Sequence, residues 1–213
     1  QLILDENLGQ GDRLPKEAVL VERLGAGRST VREAMKLLQS RNIVRIKQGS
    51  GTYVASNPGV ADDPLGFTFI GDKQRLARDL LEVRFMIEPQ MASMAAEHAT
   101  EDQIMCIREL CDESQRLAEA GEDYSAADTA FHNAIAESCG NLVVPRLMGV
   151  LKASVPLFID VTGKQLVEET IRTHRGVADA IAARNPTAAH DAMYLHLVYN
   201  RNMIAEGKQG QNA

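Results

Sequence analysis

The chain has 213 residues, 45% of them hydrophobic and 24% charged, with a formal net charge of −6. That length and apolar content allow one or two real cores, and no apolar run approaches the ~20 residues that a membrane-spanning helix needs. Three cysteines without a CxxC pattern favour a reduced, cytoplasmic protein over a disulfide scaffold or a cysteine zinc site.

The charge is unevenly distributed. Residues 1–56 carry nine basic and six acidic side chains, net +3, so the rest of the chain carries −9. A basic head on an acidic body suits contact with a polyanion at the head alone. The chain begins with Gln1 rather than Met, which leaves room for native residues before it.

Pro15 at a first helical position, followed by Lys16 to Leu24 with Val19, Leu20 and Leu24 on one stripe, predicts a short helix that Gly25 ends. A second helix follows a three-residue turn, with Val31, Ala34, Met35, Leu37 and Leu38 as its apolar face. Its first turn presents Arg28, Ser29, Thr30 and Arg32, where backbone N–H groups and side chains can meet phosphate and base edges together. Two β-branched runs, 43–48 and 52–55, flank Gly49-Ser-Gly51 and predict a hairpin wing with Lys47 and Gln48 near its tip. Arg28 and Arg32 taken alone fit any solvated amphipathic helix; the ordered helix, turn, helix and Gly-flanked hairpin point to DNA.

Ser56-Asn-Pro-Gly-Val-Ala-Asp-Asp-Pro64 breaks both periodicities and reads as a linker. Beyond it only helices are predicted, over Arg78–His98, from Thr100 to about Ala120, from Ser125 to about Ser138, over Leu142–Val161, over Gln165–Arg184 and over Pro186–Glu206. Thr100-Glu-Asp-Gln103 and Ser125-x-x-Asp128 read as capping boxes, Pro156 as a kink, and Asn185-Pro186 as an N-cap followed by an N1 proline. The resulting fold is mainly α. A winged helix-turn-helix occupies 1–56, a linker with a short helix 57–74, an all-α bundle 75–207 and a polar tail 208–213.

Four residues of the bundle carry metal-ligand chemistry. Asp128 and His132 are spaced i, i+4 on one helix face. His174 and His196 each lie 11 residues from Asn185, so an antiparallel hairpin brings them to the same level. One carboxylate and three imidazoles suit a divalent transition metal: Zn²⁺, Ni²⁺, Mn²⁺ or Fe²⁺. Each member has a plainer reading: Asp128 as part of its capping box, the histidines as packed or surface residues. Arg84 can fork onto the carboxylate of a ligand, or pair with Glu88 one turn away. His98 and His190 stand outside this set as exposed side chains, and the methionines, among them Met86, Met91, Met94, Met193 and Met203, read as adaptable core filling.

Residues 2–55 resemble the winged helix-turn-helix domain of the GntR family of bacterial transcription regulators. Gly11-Asp12, Leu14-Pro15, Glu17, Leu20, Gly25, Arg28, Val31-Arg32-Glu33-Ala34 and Gly49-Ser-Gly-Thr-Tyr-Val54 carry the resemblance. Two positions depart from it. Ala18 stands where many relatives have a DNA-contacting arginine, and Gly27 replaces the usual capping serine. Residues 75–206 resemble the FCD effector domain of the FadR subfamily, through Glu82, Arg84, Glu88, Ala95-Ala96, Asp128, Phe131-His132, Asn141 and the two late histidines.

The resemblance implies a homodimer that binds an inverted-repeat operator through Arg28, Ser29, Thr30, Arg32, Lys47, Gln48, Gly49 and Gly51. It implies a metal, zinc foremost, on Asp128, His132, His174 and His196, and a small carboxylate effector that engages the metal and Arg84. The expected function is a ligand-responsive repressor without enzymatic activity. The alternative is a metal-dependent hydrolase or lyase using the same four residues, which leaves the winged helix without a purpose.

Overall fold

The computed structural model describes residues 1–55, 58, 59, 63–151 and 167–206, with side chains as far as Asn202. The chain divides into two compact units, Gln1–Gly66 and Phe67–Ala213. Among the described residues no helix is long and apolar enough to cross a membrane.

In the first unit a single turn of helix, α1 (Leu2–Asp5), precedes α2 (Glu17–Leu24) and α3 (Arg28–Ser40). Gly25 ends α2 at φ 59°, a left-handed conformation that costs glycine little and other residues more. Pro15 lies one residue before the Lys16 N-cap rather than at N1, so its rigid φ leads into the helix from outside. Gly27 is the N-cap of α3 and gives it no side-chain hydrogen bond. The antiparallel wing pairs β1 (Val44–Lys47) with β2 (Gly51–Val54) in the register Val44 with Val54 and Lys47 with Gly51. Residues 11–14 run alongside β2, with Leu14 N bonded to Thr52 O at 2.8 Å and Val54 N to Asp12 O at 2.8 Å.

The buried face of these helices is narrower than the periodicity predicts. Val31 and Leu20 are buried, but Leu24, Leu37 and Ala34 are exposed and Val19 nearly half so. The core here is Leu14, Val44 and Val54, packed by Ile3, Leu8, Met35, Leu38 and Ile43. A core this small has room for only one stripe from each helix.

The second unit begins with a 3₁₀ turn at Phe67–Phe69 and continues as α4 (Lys73–His98), α5 (Glu101–Glu119), α6 (Ser125–Ser138), α7 (Val144–Leu151), α8 (Val167–Ala182) and α9 (Pro186–Glu206). Helix α9 packs against α4 and α8, while α5 packs against α6 and α8. The core is continuous, with Phe131, Met91, Ile107, Ile135, Ile181, Met193 and Leu197 among its fully buried side chains.

Local chemistry explains most of the boundaries. The capping box Thr100/Gln103 is formed in both directions, and Asn185 Oδ1 accepts from Ala188 N at 3.1 Å at the head of α9. Helix α4 starts five residues earlier than its apolar pattern indicates, because Asp72 caps it by accepting from Arg75 N at 2.9 Å. It continues through Pro89, a helix-interior proline whose ring is buried in the core. The predicted box at Ser125 is replaced: Asp123 Oδ1 accepts from Ser125 N at 3.0 Å, and the Asp128 carboxylate turns inward instead. Helix α7 is described to Leu151, so Pro156 lies outside the described residues, as does the tail 208–213. Met86 is exposed rather than core, unlike Met91 and Met193.

Candidate DNA interface and metal centre

In the first unit Arg32, Lys47, Gln48, Gly49 and Gly51 of the expected DNA-facing set line one groove, and Arg28, Ser29 and Thr30 do not line it. Arg28, Ser29, Thr30 and Arg32 are all exposed in the first turns of α3, where unsatisfied N–H groups and the helix dipole favour an anion. Lys47 and Gln48 are exposed beside Gly49 at the wing tip, and the Lys47 ammonium lies 5.0 Å from the centroid of the Tyr53 ring. An open groove of about 750 Å³ runs between α3 and the wing, lined by Arg13, Lys16, Glu17, Arg32, Lys47 and Gln48.

Arg13 and Lys16 also line this groove, and sequence reasoning did not place them among the DNA-facing residues. Arg13 Nη2 donates to Ser50 O at 2.5 Å, and its guanidinium lies so close to Gly51 that a Cβ there would sit 2.9 Å from Nε. Gly51, at φ 135°, is favoured by its backbone, and any side chain there would have to push the Arg13 guanidinium aside. Arg32 is not unengaged in this structure. Its Nε donates to both carboxylate oxygens of Glu17, at 3.0 and 2.9 Å, tying α3 to α2.

In the second unit four helices converge on one buried cluster. The hairpin of α8 and α9 brings the rings of His174 and His196 to a centroid separation of 4.6 Å, and His132 on α6 lies 5.3 Å from each. One ligand atom from each of the three histidines lies within 4.8 Å of the others. Asp128 is adjacent to two of them, with Oδ1 3.5 Å from His174 Nε2 and Oδ2 3.9 Å from His132 Nε2. Helix α4 contributes Arg84 and Glu88. Arg84 Nε donates to Glu88 Oε1 at 2.5 Å and Nη2 to Oε2 at 3.1 Å, and Nη2 also lies 3.5 Å from His132 Nε2. The pair with Glu88 is thus formed, and the same guanidinium still borders the histidine cluster. His98 is exposed and His190 half-buried, both away from it.

The groups of the cluster, Arg84, Glu88, Asp128 and the three histidines, are nearly inaccessible to solvent. Burial, with His132 and Arg84 nearby, pushes His174 well below its ordinary pKa, and His196 is lowered in the same way with His174 as an added cause. Both rings are therefore neutral and offer a lone pair. Burial alone would raise the Glu88 carboxyl, but Arg84 and His132 overcome it and hold it well below the usual carboxylate range. Asp128 is raised by burial, partly offset by His132 and Arg84.

His174 Nε2 is buried without a hydrogen-bond partner. His132 Nδ1 lies 3.0 Å from Glu88 Oε2, close enough for an ion-pair contact but not aligned as a hydrogen bond. An orphaned buried nitrogen costs of the order of 1–3 kcal/mol, and a cation shared by the imidazoles and Asp128 removes that cost at His174 Nε2. The donor set fits a divalent transition metal. Two further polar neighbours went unnoticed in the sequence: Thr173, whose Oγ1 is 3.1 Å from His196 Nδ1, and Asn200, whose Nδ2 is 3.2 Å from His196 Nε2. Asn200 sits one turn from His196, so the i, i+4 rule that links Asp128 to His132 could have found it.

Comparisons with known proteins agree with both halves. Residues 1–54 match the family described as bacterial regulatory proteins, gntR family, and residues 79–199 match the FCD domain. The chain is 32% identical to the HTH-type transcriptional regulator LutR of Bacillus subtilis over 215 residues, covering 96% of each. It is 27% identical to the HTH-type transcriptional repressor NanR of Escherichia coli K12, covering 92% of this chain and 78% of that one. Among solved structures, a Streptococcus agalactiae GntR protein superposes with a TM-score of 0.80 at 38% identity, covering 94% of both chains. A winged helix with this matching FCD bundle, in relatives that are regulators and not enzymes, settles the class: the chain belongs to the GntR family of DNA-binding transcription regulators, with the FadR-like architecture of a helix-turn-helix head and an FCD effector-binding domain.

Proposed function

We propose that the protein is a cytoplasmic, homodimeric repressor that releases an inverted-repeat operator when a small carboxylate binds over a metal in its FCD domain. The observation that carries this reading is the buried cluster His132, His174, His196 and Asp128, with two neutral imidazoles and an orphaned His174 Nε2. Three imidazoles and one carboxylate hold Zn²⁺ foremost, with Ni²⁺, Mn²⁺ and Fe²⁺ as alternatives of the same chemistry. Bound there, such an ion supplies a Lewis-acidic anchor for an anionic oxygen.

Charge decides the kind of effector. Asp128 and Glu88 bring two negative charges and Arg84 one positive, so a divalent cation leaves the buried site with one positive charge in excess. Burying an uncompensated charge is costly. A single carboxylate neutralises it, and Arg84 on the wall of the cluster offers that group a guanidinium. Sugar acids, hydroxy acids and dicarboxylates are the matching class.

The head contacts DNA through Arg28, Ser29, Thr30, Arg32, Lys47, Gln48, Gly49 and Gly51. Binding of effector and of operator are linked free energies, so each weakens the other by the same factor. Repression is supported by the relative that carries the name of a repressor.

The test is elemental analysis, thermal melting and operator release for the parent, His174→Ala, His196→Ala and His190→Ala. The expected pattern is loss of metal, of metal-dependent stabilisation and of effector response in the first two variants, with His190→Ala unchanged. Equal metal content in all four proteins makes these histidines ordinary core residues and removes the proposed effector site.

A further inference from the structure

The neighbours of the imidazoles determine which nitrogen of each ring is left to bind. Thr173 Oγ1 lies 2.7 Å from Glu169 O, 3.2 Å from Thr170 O and 3.1 Å from His196 Nδ1. A hydroxyl has one proton. The closest acceptor is the Glu169 carbonyl, one turn back on α8, and neither carbonyl can return a proton. The hydroxyl oxygen therefore faces His196 as an acceptor, and His196 Nδ1 carries the hydrogen.

A neutral imidazole has one N–H, so the lone pair of His196 is on Nε2. Asn200 Nδ2, a donor, stands 3.2 Å from Nε2, consistent with that tautomer. His132 repeats the arrangement with different residues. Its Nδ1 is 3.0 Å from Glu88 Oε2, which already accepts from Arg84 Nη2, while its Nε2 faces Arg84 Nη2, a donor, at 3.5 Å. On both rings an acceptor stands at Nδ1 and a donor near Nε2.

We propose that Glu88 and Thr173 are positioning residues that fix His132 and His196 in the Nδ1–H tautomer, leaving Nε2 of each as the ligating nitrogen. This rests on the metal site proposed above. Partners of this kind at the far nitrogen of a ligating histidine change metal affinity by about 10- to 100-fold when removed.

The experiment uses the full chain labelled with ¹⁵N at histidine and freed of metal by a chelator. Long-range ¹H–¹⁵N correlation reads the tautomer of each ring, and titration of Zn²⁺ against a chromophoric chelator reads affinity. The parent is expected to show Nδ1–H on His132 and His196. Thr173→Val, of the same shape without the acceptor, releases His196 toward the Nε2–H form and weakens Zn²⁺ binding about 10- to 100-fold, and Thr173→Ser restores both. In Glu88→Gln, Arg84 draws the amide oxygen, the NH₂ turns to His132 Nδ1, and the His132 tautomer inverts with a loss of Zn²⁺ affinity.

Nε2–H on either ring of the parent overturns the proposal, as does a Thr173→Val protein with parental tautomer and affinity. If Zn²⁺ binding is weakened in His174→Ala but unchanged in Thr173→Val, only the positioning role fails. If it is unchanged in His174→Ala, the metal site itself fails and the ligating role with it.

Discussion

Glu88 is fully buried, and among the described residues it is compensated by a bidentate Arg84 one helical turn away and by His132 across the bundle. Removing one partner of such a pair leaves the other charge buried and costs about 3–5 kcal/mol, far more than the intact pair contributes. Glu88→Ala should therefore lower the unfolding free energy by about that amount in urea denaturation, while Glu97→Ala, on the exposed end of the same helix, should stay within about 0.5 kcal/mol of the parent. The buried histidines give a second expectation. In the metal-free protein His174 and His196 titrate well below their ordinary value of 6.5. As the pH falls below 6.5 the unfolded chain takes up protons that the native state refuses, so stability falls with falling pH. The raised Asp128 acts in the opposite direction, gaining stability as the pH falls. Denaturation midpoints of metal-free protein should thus drop just below pH 6.5, and His196→Ala should flatten that slope; a midpoint independent of pH there would show that the rings are not buried neutral.

Helix α3 and the wing share the burden of binding DNA but by different physics. Arg32 is held by Glu17 through Nε in an exposed ion pair, which solvent screening keeps weak. A good contact with a base pair discriminates by about 1–3 kcal/mol, so an operator can retain or recruit the guanidinium at small cost. Arg32→Ala should weaken operator binding by that amount at fixed salt and affect random DNA much less. Lys47, exposed on the wing beside Tyr53, has no place to read a base from a helix end. Lys47→Ala should instead reduce the slope of log affinity against log salt by about one. If Arg32→Ala binds the operator as the parent does, α3 is not the recognition element.

At the scale of the molecule, a single winged helix buries too little DNA to reach useful specificity alone, since one module covers only about 600–1,000 Å². In the proposed dimer, two copies related by a two-fold axis read the two half-sites of an inverted repeat. Light scattering at micromolar concentration should give twice the chain mass, and operators with one half-site scrambled should lose most of their affinity. A monomeric mass with undiminished binding to a half-site would contradict that assembly.

The mainly helical architecture, the helix-turn-helix with its wing, and the caps at Thr100 and Asn185 were all legible in the chain, because periodicity, glycine punctuation and capping are properties of neighbouring residues. Even the meeting of His174 and His196 followed from equal distances to one turn, since a helix converts residue number into length. The sequence overstated what the head buries: Ala34 and Leu37 lie on the apolar stripe of α3 but have no core to enter. It also left Asp128 between a cap and a ligand, and Arg84 between Glu88 and an effector. Tertiary packing resolved those local choices: Asp123 serves Ser125, Asp128 turns to the histidines, and Arg84 grips Glu88 while still touching His132. Glu88 against His132, Thr173 against His196 and Arg13 beneath Gly51 are contacts across elements. No spacing encodes them, because the distance between side chains on different helices is set by how the whole core closes.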